Sequence, residues 1–195
     1  MDYKIIISII AVALSFIGYI PYVLDILKRK TTPHTFTWLV WTLAVGISCA
    51  LQIAGGAGVG AWTTAAVTFI SFVILILSLK YGNKDITRLD IFFLILALMS
   101  LFLWVFAKQP VWSVILIVLT DVLGFAPTVR KSWNKPYSET LSTYQITAFR
   151  HGLSIFALQQ FNILTWLYPM VWVIANVAFS AMLVTRRRII GKEPA

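Results

Sequence analysis

Charge is scarce in this chain of 195 residues: 12% of positions are Asp, Glu, Lys or Arg, against 59% hydrophobic. At a mean hydropathy of +0.86, that shortage excludes an ordinary soluble domain, whose surface must be charged or polar. Cysteine occurs once, as Cys49 within an apolar run, so no disulfide framework and no cysteine metal cluster can be built. HExxH, GxSxG and a glycine loop ending in GK[ST] are all missing. Their absence removes the motif-bearing metalloproteases and serine hydrolases, and leaves no nucleotide-binding signature to drive a pump. Gly55, Gly56, Gly58 and Gly60 crowd one loop, but no strand precedes them and no phosphate cradle is expected there. No pair of carboxylates falls at a spacing that reaction geometry would justify. Neither an enzyme nor a cofactor or metal site is expected.

What the chain has instead is long apolar runs. Seven can be placed, at about 5–27, 35–54, 59–80, 89–107, 111–130, 139–159 and 163–185, each near the roughly 20 residues that cross a bilayer. The first lacks a strong basic start and a cleavage site, and reads as a span rather than a signal peptide. The net charge of +9 could point to nucleic acid, but the basic residues sit in short loops between apolar runs and form no basic face. They are topology signals. Lys28, Arg29 and Lys30, then Lys80, Lys84 and Arg88, then Arg130, Lys131 and Lys135, then Arg186, Arg187, Arg188 and Lys192 place thirteen of the 16 basic residues on one side. That side is cytoplasmic by the positive-inside rule, so the N-terminus faces out and the C-terminus in.

The runs contain a duplication. GYIPYVLDILKRKTTPHTFTW from Gly18 and GFAPTVRKSWNKPYSETLSTY from Gly124 align without a gap at an offset of 106 residues, as far as Trp38 and Tyr144. Each copy has Gly-x-x-Pro in an apolar helix (Gly18/Pro21, Gly124/Pro127), a basic stretch, a polar turn and a new apolar run. Spans one to three match spans five to seven, and the unpaired fourth restores the direction of the chain. The expected fold is an all-α membrane protein with two parallel three-helix repeats joined by an inversion-linker helix, 3+1+3. The expected units are a first bundle at 1–80, a linker with a lipid-facing connecting helix at 81–108, a second bundle at 109–185 and a cytoplasmic tail at 186–195.

This layout resembles the SWEET sugar transporters and the wider PQ-loop superfamily over nearly the whole chain. APTVRKSWNKPYSETLS in the second half looks like the proline, basic loop and serine of those repeats, and PMVWVIANVAFSAML looks like their third helix. Neither Pro21 nor Pro127 is followed by glutamine, which sets the chain apart from the lysosomal PQ-loop branch. The resemblance implies a membrane transporter for a small polar solute, sugar as first guess, with a central path between two triple-helix bundles. It implies a binding-site role for Asn176 and inner-gate hinges at Pro21, Pro127, Gly18 and Gly124. Nicotinamide riboside carriers and the KDEL receptor share the architecture, so a vitamin, nucleoside or amino acid carrier, or a membrane receptor, stays open. A bacterial inner membrane is the expected location, and the bilayer, a small solute and candidate protons are the expected partners.

The residues give their own reading of the site. Asp121, Arg150 and Asn176 each fall about 13–18 Å in from the cytoplasmic end of their spans at 1.5 Å per residue. A charge at that depth costs about 2.5–3.5 kcal/mol by insertion scales unless paired or wetted. Asp121 and Arg150 are expected to be each other's partner, as a ligand site or as a permanent clamp on helices five and six; both readings stand. Asp121 is also the candidate proton carrier, and His151 is either a relay or a packing group. At the same depth the first half offers Ser15, Trp41 and Thr68, with Trp38 one turn nearer the cytoplasm. Trp41 is the candidate stacking platform and Trp38 an interface anchor or a second wall. Trp112, Trp166, Tyr168 and Trp172 are expected in an outer aromatic belt. His34 and Glu139 are expected as caps or rim groups, and Asp25 as a local pair to Lys28 and Arg29.

Overall fold

A computed structural model describes residues 2–29, 32–84, 86–134 and 136–190. These residues form seven α-helices: α1 (Tyr3–Leu27), α2 (Thr35–Ala54), α3 (Trp62–Tyr81), α4 (Arg88–Val105), α5 (Pro110–Asn134), α6 (Leu141–Phe156) and α7 (Ile163–Ile190). Short 3₁₀ turns at Gly58–Ala61 and Pro136–Ser138 lead into α3 and α6. Six of the helices are long and apolar enough to cross a membrane, so the chain is an all-helical protein built for a bilayer.

The helix ends follow local chemistry. His34 caps α2 by accepting from the Thr37 backbone N–H at 3.3 Å. Thr87 and Asp90 form a reciprocal capping box at the start of α4. Pro110 opens α5, where its missing N–H costs nothing. Two predicted boundaries move. The helix expected over 139–159 is only the 16 residues of α6, because Thr140 stands outside it and the chain turns away at Ala157. The last helix runs on to Ile190, into the expected tail, since its arginines bind carbonyls of the α5–α6 connection. Arg186 Nε donates to Trp133 O at 2.8 Å and Arg187 Nε to Pro136 O at 3.0 Å. Asp25 makes no ion pair with Lys28 or Arg29 among the described residues: α1 ends at Leu27, and Arg29 turns away at φ 57°.

Packing is inverted relative to a soluble protein. Ile6, Ile10, Ile17 and Leu24 of α1, and Phe69, Phe72 and Ile76 of α3, are exposed, a surface that only lipid would cover. The inner seam of α1 is small and hydroxylated: Ser8, Ala11 and Ser15 are fully buried, which brings backbones close where no hydrophobic drive exists. Helix α3 packs against both α1 and α2, and α7 against both α5 and α6. Further contacts join α1 to α6 and α2 to α5, while α4 lies on α5 and α2. Ser100 and Ser113 clasp α4 to α5, each hydroxyl donating to the other's carbonyl at 2.9 and 2.8 Å. The rest of α4 is almost all exposed or half-buried.

The two ends of the bundle differ. At the glycine-loop end, bonds cross between residues of the first 61 and those after 156. Asn162 Nδ2 donates to Gly55 O at 2.7 Å, Lys4 Nζ to Leu158 O at 2.7 Å, and the Gln159 N–H to Ala57 O at 3.0 Å. At the basic end, bonds among the described residues join neighbouring parts of one sequence copy. The Thr35 hydroxyl donates to Ser78 O at 2.9 Å and its N–H to Asn83 O at 2.8 Å, while the arginines of α7 serve the α5–α6 connection.

Candidate functional site

The three polar residues that the sequence places at mid-depth point inward. Asp121 and Arg150 are each 4% exposed and Asn176 is 2% exposed. They sit on α5, α6 and α7 respectively, and α7 packs against the other two.

That placement overturns the expected pairing of Asp121 with Arg150. With α7 between α5 and α6, the carboxylate and the guanidinium look to different neighbours. Asp121 Oδ2 accepts from Trp172 Nε1 of α7 at 3.2 Å. Arg150 reaches the opposite way, out of its own half: Nη1 donates to Ser15 Oγ on α1 at 3.2 Å. Its guanidinium carbon lies 5.8 Å from the centre of the Tyr19 ring. Ser15 spends its own hydrogen on Ala11 O at 2.9 Å, so towards Arg150 it can only accept. No clamp joins α5 to α6 through these charges.

Asn176 also turns to its own helix, donating Nδ2 to Trp172 O at 2.7 Å. Trp172 thus links two of the predicted residues, through its ring to Asp121 and through its carbonyl to Asn176. Its predicted place in an outer belt is wrong, and so is that of Tyr168, which is 3% exposed. Trp172 is half-buried, and both rings lie on a stripe of α7 in which Tyr168, Asn176, Phe179 and Leu183 are buried at the three- and four-residue steps of one helix face. That spacing was visible in the sequence. Trp112, by contrast, is 61% exposed, as a belt residue should be. His151 is buried, with its ring edge-on to Tyr168 at 5.8 Å.

Aromatic rings fill the level nearer the basic end. Phe125 of α5 meets Tyr144, Trp172 and Phe179 at centroid distances of 6.0, 5.7 and 5.0 Å. In the first half Trp38 meets Tyr22 at 5.5 Å and Trp41 at 5.3 Å. Trp38 is no interface anchor: it is buried in a cluster with Ile26, Ile70 and Ile74. Trp41 is half-buried and crosses to α5, where its Nε1 lies 3.6 Å from the place a Cβ would take at Gly124. Glu139 accepts from the Tyr144 hydroxyl at 2.6 Å, a rim role as expected.

The helix α1 runs unbroken through Pro21, which is exposed along with Gly18. Gly124 and Pro127 lie within α5, the side chain of Pro127 being outside the described set. No group of His, Cys, Asp and Glu among the described residues could hold a metal. Two surface cavities lie away from Asp121, Arg150 and Asn176: one is an apolar groove on α2 and α3, the other lies beside Arg29, Lys80 and Tyr81.

Compared with protein-family models, curated proteins and solved structures, the chain matches none of them.

Proposed function

We propose that the chain is a SWEET-like membrane carrier for a small polar solute, working by alternating access between two like-oriented three-helix repeats joined by α4. One observation carries the reading: the packing partners obey the sequence repeat. Carrying α1, α2 and α3 onto α5, α6 and α7 turns the α1–α3 and α2–α3 pairs into α5–α7 and α6–α7. The same operation turns α1–α6 into α5–α2, which also pack together. A chain whose contacts permute as its repeats do has the two-fold relation on which rocking carriers are built.

The inward-facing charges support a path between the repeats, because ionisable groups at that depth serve a route or pay to be there. The crossing bonds at the glycine-loop end support a closed outer gate. Ser48 Oγ, Gln52 Oε1, Thr63 Oγ1, Thr64 Oγ1 and His151 Nδ1 are buried without a hydrogen-bond partner. Opening that gate would hydrate them, which offsets the cost of leaving them dry. In this reading Trp41 and Gly124 form one contact between repeats, and the Gly-x-x-Pro segments are the soft points of α1 and α5. The N-terminus faces out, the C-terminus lies in the cytoplasm of a bacterial cell, and the solute gradient, with or without protons, supplies the energy. No catalysis is assigned.

Purified protein in liposomes should take up a radiolabelled solute from a panel of sugars, amino acids, vitamins and small organic acids, with saturation. Tight binding without flux would replace the carrier with a receptor.

A further inference from the structure

Arg150 is a buried cation with almost nothing to hold it. Its one hydrogen bond, to Ser15 Oγ, is 3.2 Å long and ends on a neutral acceptor. Among the described residues no carboxylate lies in ion-pair contact with it, and the buried Asp121 accepts from Trp172 instead. A guanidinium presents five N–H donors in a planar fork. One of them meets Ser15 Oγ here, in a residue 4% exposed. Removing a charge from water is tolerated when a counter-charge and further hydrogen bonds replace the water. Ser15 supplies one neutral acceptor and no described residue supplies the counter-charge, a place that an anion would fill.

The surroundings say how an anion would reach it. Gly18 lies one turn beyond Ser15 towards the basic end of α1; it is exposed, and no atom lies within 4 Å of the place its Cβ would take. Thr143, two turns from Arg150 on the same face of α6, is exposed as well. The equivalent glycine of the second copy, Gly124, is covered by Trp41. One of the two repeat-related seams is therefore plugged by an indole, and the other is open at Gly18.

We propose that the solute is a small organic carboxylate, received by the fork of Arg150 and reached along the α1–α6 seam past Gly18 and Thr143. This rests on the carrier reading above and names its substrate class. A single fork matches the two oxygens of a carboxylate. A phosphate dianion would bring a second negative charge that no other described cation here would match, and a neutral sugar would leave the cation unmatched. The Tyr19 ring beside the guanidinium gives the body of the solute an aromatic surface.

The test uses the full chain in detergent, its thermal unfolding followed with sodium acetate, lactate and benzoate, and with glucose and sodium phosphate at matched ionic strength. A saturable rise in Tm is expected with at least one carboxylate and with neither control. Arg150→Lys keeps the charge but loses the fork, and should weaken that response by about tenfold or more, the worth of one charge-assisted hydrogen bond. Arg150→Gln should abolish it. A response only to glucose or phosphate, no response to any carboxylate, or a full response in Arg150→Gln overturns the proposal. If Arg150→Gln does not fold, Gly18→Leu serves instead. It fills the open seam without touching Arg150 and should slow uptake of the stabilising carboxylate into liposomes; an unchanged rate counts against the route. Carboxylate binding without flux would leave this site standing and sink the carrier reading. Saturable glucose flux that carboxylates do not inhibit would do the reverse.

Discussion

Trp172 is the residue on which two others depend, since its indole donates to Asp121 and its carbonyl accepts from Asn176. Trp172→Phe keeps the ring and deletes the donor to a buried carboxylate. Hydrogen bonds to charged groups are worth about 1.5–3 kcal/mol, and a loss of that size is expected in denaturant unfolding of the protein in micelles. Repeated in an Asp121→Ala background, the same change should cost much less; equal losses would mean that the bond carries no stability. Asp121, Arg150 and Asn176 were legible in the sequence because a polar group in a long apolar run has to turn inward. Their partners were not. Which side chain meets Asp121 depends on α7 standing between α5 and α6, and nothing in local spacing encodes that order. Ser15 was visible at the right depth, yet its bond to Arg150 spans 135 residues of chain.

Among the elements, the joint between α2 and α3 at the basic end is the tightest. A Cβ on Gly82 would run into the carbonyls of Ser78 and Pro33. Both belong to a fixed lattice, with Thr35 Oγ1 on Ser78 O and the Asn83 N–H on Pro33 O at 2.9 Å each. Gly82→Ala should therefore destabilise by about 1–3 kcal/mol, as overpacking does. Gly18→Ala, into open space on a helix, should instead stabilise by about 0.4–1 kcal/mol through loss of unfolded-state freedom. Thermal unfolding of the two variants side by side checks the contrast; similar changes in both would refute it. The apolar runs marked the helices well, α2 to the residue, because length and hydropathy suffice where lipid is the solvent. They failed for α6 and for the end of α7. There the boundary is set by Thr140, Ala157 and the arginine–carbonyl bonds, which are tertiary matters.

At the scale of the whole molecule, the glycine-loop end ties early chain to late chain, and the bond from Asn162 to Gly55 O is its most direct stitch. Asn162→Ala should speed amide hydrogen exchange in residues 55–61 and 157–162 together, because a latch frees both of its sides. Faster exchange in one segment alone would show that the segments are not coupled. The repeat of Gly18–Trp38 in Gly124–Tyr144 was plain in the sequence, and the helix neighbours follow it; the ties at the glycine-loop end were not, since Asn162 and Lys4 end on loop carbonyls that no spacing marks. The shortness of α6 has its own consequence. At 1.5 Å per residue its 16 residues span about 24 Å, some 6 Å less than the hydrocarbon core of a typical membrane, about 30 Å. In the proposed seven-span arrangement the acyl chains beside α6 would shorten or tilt to meet it, and the helix that carries Arg150 would lie where the bilayer is drawn thinnest.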